Sequence, residues 1–311
     1  MPAPPRTPTT FTEILELVWW RLDAALDMEM IKWSAMLGAL EALERGTTSI
    51  VDHHASPNAI EGSLDVIHDA CRAVGVQITT CYEVTDRGGP DRMKAGLAEN
   101  ERYIRSHPEV QAWVGAHACL TLSDATLDAV AGLARDLGTG VHIHVAEGVA
   151  DIDAGRRLEP YADDRWLLAH AVHLDRPLPG TVLHNPRSNL NNAVGYARPD
   201  RFANPVRLGT DGIGADMLEE FRLAFVRLRA EDVTESPTTV WQWLTWDEAS
   251  SVEWAYEPMD PWYLAYTPGV GPASVTVAGE VVYRDGSPTR VDASEVRARA
   301  REQAARLHAK L

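Results

Sequence analysis

The sequence predicts an α/β fold: a TIM-like (β/α)8 barrel, incomplete on its N-terminal side, with a small C-terminal β element. Three observations lead there. From about residue 47, short β-rich runs alternate with amphipathic helical stretches, the pattern of parallel strands joined by helical crossovers. Roughly seven such strands occur with no second nucleotide-type half, which favours a barrel over an open doubly wound sheet. Histidines and an aspartate also gather at the C-terminal ends of those strands, and in a parallel barrel all such ends open on one face.

The elements follow in order. "FTEILELVWWRLDAALD" (11–27) is a helical stretch after a Pro-rich start, and "TTSIVD" (47–52) is the first clear strand. "EGSLDVIHDACRAVG" (61–75) is a helix with Leu64, Ile67, Cys71 and Val74 on one stripe. "VQITTCYEV" (76–84) is strand, 90–106 is helix, and "VQAWVGAHA" (110–118) is strand. "SDATLDAVAGLARDLG" is a helix capped by Ser123 and closed at Gly138. The strands "GVHIHVAE", "RWLLAHAVHL" (165–174), "GTVLHNP" (180–186) and "PVRLGTDG" (205–212) come next, with trimmed helices between them. A long helix (214–232) completes a barrel unit assigned to residues 1–255. Residues 256–311 form the appended element: a two-strand pattern, "ASVTVAGEVVYRDG" (273–286), with a Gly-Glu turn, then a terminal helix (292–311).

Composition narrows the function. A net charge of −16 repels phosphate backbones and anionic lipid, so neither nucleic acid nor a membrane surface is an expected partner. The 311 residues contain no apolar run long enough to span a bilayer. Cys71, Cys81 and Cys119 lack disulfide or metal spacing and read as small core residues, which fits a reducing cytoplasm. "WQWLTW" (241–246) reads as packing for a core or a dimer interface.

Eight of the eleven histidines lie in five of the strands or just past their ends: His53, His54, His117, His142, His144, His170, His173 and His184. Asp211 closes "RLGTD". Strand alternation puts His142 and His144 on one face, inside the barrel, with Val141, Ile143 and Val145 turned to the helices. Glu147, just past that strand, bends over the same pocket, where partial desolvation raises a carboxyl toward proton-transfer duty. Imidazole nitrogens and an aspartate at a strand mouth suit Zn²⁺ or Fe²⁺. The ion would acidify a water whose proton Asp211 can accept.

The segments "GTTSIVDHHAS", "GAHACLTLSD", "HIHVAE", "LLAHAVHLD", "VLHNPRSNLNN" and "LGTDG" together resemble the amidohydrolase superfamily, in its branch of guanine deaminase, adenosylhomocysteine deaminase and the triazine chlorohydrolases. The tail "VTVAGEVVYRDG" is similar to the family's returning β-sandwich segment. The resemblance implies a divalent metal, zinc or alternatively iron, held by His144 and Asp211. It makes Glu147 the proton shuttle to a ring nitrogen and His170 the group that polarises the water or the leaving-group carbon. His117 and His54 then line the substrate pocket, Asn185 and Asn189 hold the "HNPRSN" loop against it, and His53, His173 and His184 wall it. The implied activity is hydrolysis of a C–N bond (deaminase or chlorohydrolase type) in a small N-heterocyclic or amidine substrate, by a homodimer or other homo-oligomer.

One departure changes the expectation. The family's first strand carries an H-x-H pair, whereas the sole H-x-H here is His142/His144 on a middle strand. The resemblance therefore implies that the first barrel strand is missing ahead of residues 11–27 and is encoded upstream of Met1. It also implies that the 311-residue chain binds metal weakly and self-associates through exposed strand edges. The alternative reading is a truncated, non-catalytic pseudoenzyme that acts as a binding or interaction protein.

Overall fold

The computed structural model describes residues 4–244, 250–255 and 260–311. Seven parallel strands form a curved wall: β1 (Ser49–Val51), β2 (Gln77–Thr79), β3 (Val114–Ala118), β4 (Val141–Val145), β5 (Leu167–His170), β6 (Thr181–His184) and β7 (Val206–Leu208). β3 to β7 are laddered in sequence order, and β1 pairs with β2. Parallel bridges His54–Tyr82 and Val84–Ala116 carry the wall across from the pair to the five-stranded ladder. Consecutive parallel neighbours need crossovers, and the helices Ser63–Val74, Pro90–Ser106 and Asp124–Asp136 supply the first three. Later crossovers shrink as the sequence predicts, to Ala154–Leu158 after β4 and Pro186–Asn191 after β6.

Alternation along β4 works as anticipated. Val141, Ile143 and Val145 are buried among Leu127, Val130, Ala131 and Ala134 of the helix Asp124–Asp136. His142 and His144 face a cavity of about 1140 Å³ inside the wall. Ser123 caps that helix by accepting from Thr126 N, and Gly138, with φ +69°, lets the chain leave it.

A second core lies where the helix Met28–Leu43 meets the helix Ser63–Val74, the antiparallel sheet and the terminal helix Ala293–His308; Leu40, Leu43, Cys71, Val275, Val282 and Val296 fill it. The sheet has four strands rather than the two expected, in the order β11-β10-β9-β8. These are β8 (Ser251–Trp254), β9 (Pro272–Val277), β10 (Glu280–Arg284) and β11 (Ser287–Pro288). β8 lies ahead of residue 255 and pairs with β9. The hairpin turn is Ala278–Gly279, both at positive φ, while Glu280 already pairs with Val277. The anticipated Gly-Glu turn is thus shifted by one residue, because a two-residue hairpin needs positive φ at both centres.

Trp241 and Trp243 pack in a third cluster with Phe221 and Leu264; Trp246 lies outside the described residues. Cys71, Cys81 and Cys119 are free and buried, as read from their spacing. No helix among the described residues is long and apolar enough to cross a membrane. β1 and β7 stand at the two ends of the wall, and the cavity opens between them, lined by Ile50 and Val51 on one side and Leu208 on the other.

Candidate active site at the strand ends

Among the described residues, four of the eight non-glycine residues with positive φ sit where strands of the wall end: Ala146 after β4, His170 and Ala171 at the end of β5, and Asp211 after β7. The left-handed region costs such residues energy, and strain of this kind collects at functional sites. It bends the chain so that side chains drop into the cavity rather than continuing along the strand.

His170 is 1% exposed. Its Nδ1 donates to Asn189 Oδ1 at 2.7 Å, which leaves Nε2 facing Glu147 Oε2 at 3.5 Å. The other Glu147 oxygen accepts from Asn192 Nδ2 at 3.3 Å. Asp211 accepts from Gly212 N at 2.6 Å and from the Ser188 hydroxyl. Ligand atoms of Glu147, His170 and Asp211 all lie within 4.8 Å of one another. Their mixture of imidazole nitrogen and carboxylate oxygen suits a divalent metal.

Electrostatics divides the histidines. Burial alone would depress His170, but Glu147, Asp211 and the Asn189 hydrogen bond overcome it, so its pKa is raised. Burial pushes Asp211 up, yet His170, Ser188, His144 and the Gly212 amide together hold it below the usual carboxylate range. On the opposite side of the cavity burial dominates: it holds His54 at about 4 and His142 at about 3, and drives His53 and His117 well below the ordinary value. The site pairs a carboxylate held below its ordinary range and an imidazole held above its own with a bank of imidazoles that burial holds low.

His117, His144, His170, Glu147, Asp211, Asn185 and His54 all line the one cavity. His117 is oriented by a 2.6 Å contact from Nδ1 to Thr121 Oγ1, and His54 by Nε2 to Ser56 Oγ at 2.8 Å. Asn185 lies so close to β7 that a side chain at Gly209 would meet its Oδ1 at 2.3 Å. Asn189, expected at the substrate, stands behind His170 instead: it is fully buried and its oxygen is committed to the imidazole. The expectation of His173 and His184 as pocket walls is corrected, since neither is among the lining residues. His184 is sealed between Tyr196 and Trp243, with no hydrogen-bond partner for either ring nitrogen among the described residues.

The structure groups Asp211 with Glu147 and His170, and His144 with His53 and Glu83, rather than forming one four-residue set. His144 is still within β4, with β5 and β6 between it and β7, whereas Glu147 lies past the strand end, beyond the left-handed turn at Ala146 that carries it toward Asp211. Sequence reading missed Glu83, Ser188 and Asn192. Glu83 gave the same signal as the histidines, a polar group at the end of a strand-like run. Ser188 and Asn192 share a helix face with four-residue spacing, a signal available in "RSNLNN".

The chain belongs to the amidohydrolase family, whose profile matches residues 7–255. It is 30% identical over 248 residues to a 5'-deoxyadenosine deaminase of Methanopyrus kandleri, covering 70% of this chain and 56% of that protein. It is 34% identical over 237 residues to a 5-methylthioadenosine/S-adenosylhomocysteine deaminase of Thermococcus kodakarensis, covering 66% and 54%. The chain therefore spans little more than half the length of these relatives. Among solved structures, a zinc-bound adenosine deaminase from Xanthomonas campestris superimposes with a TM-score of 0.78 at 22% identity, covering 98% of this chain and 81% of that one. An atrazine chlorohydrolase of Arthrobacter aurescens complexed with zinc gives 0.74 at 18%, covering 96% and 82%. These likenesses establish the amidohydrolase barrel fold, as the motifs indicated.

Proposed function

We propose that this chain is the catalytic wall of a metal-dependent hydrolase that opens a C–N bond in a small N-heterocycle, with a purine nucleoside as the first class to try. The observation that carries the reading is the convergence of Glu147, His170 and Asp211 within 4.8 Å at the strand ends, inside the cavity. The relatives named above, deaminases of adenosine derivatives, support the substrate class.

The residues present fit a divalent ion, for which zinc is our choice: Asp211 is held ionised, and His170 Nε2 and Glu147 Oε2 face one another across 3.5 Å with no donor committed between them. His170 and Asp211 would hold it, with His144 adjoining. Bound there, such an ion supplies Lewis acidity, lowering the pKa of water. The chain's own groups do the rest. Asp211 accepts the proton of the attacking water. Glu147, steadied by Asn192, carries a proton to the ring nitrogen of the substrate. His170, its other nitrogen locked by Asn189, keeps Nε2 turned toward the ion's place beside Glu147. His117 and His142, whose pKa values burial holds low, keep the opposite wall free of competing positive charge.

Replacing Glu147 by Gln tests this reading. Ammonia release from 5'-deoxyadenosine should fall by roughly 10²–10⁴ with bound metal unchanged. A fully active Gln variant removes the shuttle role. Nucleoside binding without ammonia release in the unaltered chain would favour the non-catalytic reading. Homo-oligomerisation is part of the same proposal, since β1 and β7 end the wall without pairing to each other among the described residues and free edges recruit partners. Sedimentation at several concentrations reads it directly.

A further inference from the structure

Across the cavity from Glu147 lies a second convergence of donor atoms, in which His53 and Glu83 have no part in the chemistry above. His53 lies two residues beyond β1, and its Nε2 is 3.1 Å from Ala116 O. A carbonyl oxygen only accepts, so the ring proton sits on Nε2 and Nδ1 is left with a bare lone pair. That nitrogen faces Glu83 Oε2 at 3.9 Å. The same logic applies to His144, whose Nδ1 donates to His117 O at 2.8 Å, leaving Nε2 as an acceptor. One ligand atom from each of His53, Glu83 and His144 lies within 4.8 Å of the others. Glu83 is buried, and its second oxygen is engaged by the Arg87 guanidinium, which fixes the carboxylate and turns Oε2 inward.

Three acceptors aimed at one buried point repel each other unless a cation lies between them. The geometry points to a second metal site, a first-row divalent ion held by His53 Nδ1, Glu83 Oε2 and His144 Nε2, distinct from the Glu147–His170–Asp211 trio. Two imidazoles and a carboxylate favour Zn²⁺, Co²⁺ or Fe²⁺ over Mg²⁺ or Ca²⁺. Tetrahedral ligands about 2.1 Å from zinc stand about 3.4 Å apart, so the His53–Glu83 gap of 3.9 Å closes by small side-chain rotations. All three residues line the cavity. The inference goes beyond the hydrolase reading and does not depend on it.

The test uses the full chain, stripped with a chelator and titrated with Co²⁺, followed by visible absorption and by metal counting after gel filtration. Asp211→Asn disables the other trio, so one equivalent of Co²⁺ should remain. Adding Glu83→Gln should weaken that equivalent roughly 100-fold or more, beyond the 10–100-fold typical of groups that only support a ligand. Retention of Co²⁺ by Glu83→Gln and His53→Asn overturns the proposal. So does an Asp211→Asn chain that holds no Co²⁺. If Glu83→Gln fails to fold, the His53→Asn arm decides: undiminished Co²⁺ binding there overturns the site. Cobalt held at His53 without ammonia release sinks the hydrolase reading alone, whereas turnover with no cobalt lost on Glu83→Gln sinks this one alone.

Discussion

Glu220 lies outside the cavity, yet removing its charge should loosen the site. It is 0% exposed on the helix Met217–Arg229. Arg187 Nε donates to its Oε1 at 2.7 Å, Nη2 lies 2.6 Å from the same oxygen, and Arg187 N reaches Oε2 at 3.3 Å. Arg187 belongs to the short helix Pro186–Asn191, which also carries Ser188 and Asn189 and leads into Asn192. Those three residues hold Asp211, His170 and Glu147. Six residues cannot sustain a helix alone, so the ion pair is one of its main anchors. Breaking a buried pair from one side costs about 3–5 kcal/mol. Arg187 keeps partial access to water and a second partner in Glu219 at 3.0 Å, which argues for the low end, about 3 kcal/mol. For a chain of 311 residues that is a fall in Tm of about 4–5 °C. Glu220→Gln preserves shape and isolates the charge, and thermal unfolding by circular dichroism measures the result, with ammonia release as the second readout. A Tm within about 2 °C of the unaltered chain would refute the reasoning, because the pair would then be worth no more than a surface contact.

Three further expectations follow from particular contacts. His184 is buried with both ring nitrogens unpartnered among the described residues and its pKa pushed down to about 3 by burial; the unfolded chain takes up its proton below about 6.5 while the folded chain does not, so stability is lost as pH falls from 6.5 toward 3. His184→Leu escapes that loss, and urea midpoints should show its advantage growing by about 2 kcal/mol between pH 8 and pH 5; equal offsets at the two pH values would contradict the assignment. A Cβ at Gly115 would stand 2.3 Å from Tyr82 O and 2.9 Å from Cys81 Sγ, so Gly115→Ala should destabilise by about 1–3 kcal/mol, read from the same urea midpoints, where an unchanged midpoint would count against the packing of β2 on β3. Asn189→Leu removes the acceptor that helps hold the His170 proton; the His170 ring, followed by NMR, should titrate at lower pH than in the unaltered chain, and turnover should drop about 10- to 100-fold, as for a hydrogen bond to a charged group.

Periodic features were legible in the sequence. The helix Pro90–Ser106 appears where the pattern put it, and so do the seven strands, because burial of one face repeats at 3.6 or 2 residues and each repeat reinforces the signal. Features that rest on a partner elsewhere in the chain were not. Leu15–Trp19 forms a π-helical stretch inside the first helical segment, a local choice that sets Trp19 against Gly212 and Trp20 against His117. β8 and β11 exist only through their pairing with β9 and β10, and two to four residues hold no period to read. The candidate site divides the same way. Strand-end chemistry located Glu147, His170 and Asp211, but the meeting of Glu83 with His53 and His144 depends on β2 lying beside β1 and on the bridges that carry the wall to β3.

The strain at the strand ends explains why so much buried polar structure surrounds them. Ala146, His170, Ala171 and Asp211 each hold a left-handed backbone at roughly 1–3 kcal/mol apiece, and such conformations persist only if neighbours over-determine them. Here they do. Ala146 N donates to the buried Asp151 carboxylate at 2.9 Å, and Ala146 O accepts from His173 N at 2.8 Å. Ala171 N reaches back to Val145 O at 3.0 Å, while Arg201 Nη2 clamps Ala171 O at 2.7 Å and Leu174 O at 2.8 Å. Asp211 folds its own carboxylate onto Gly212 N. His173 therefore contributes through its backbone, and Asp151 and Arg201 act as struts for a turn that neither side chain needs for its own burial. A left-handed turn at each strand end aims one polar side chain inward without lengthening the loop. Three such turns, after β4, β5 and β7, bring Glu147, His170 and Asp211 to one point although their strands are spread across the wall.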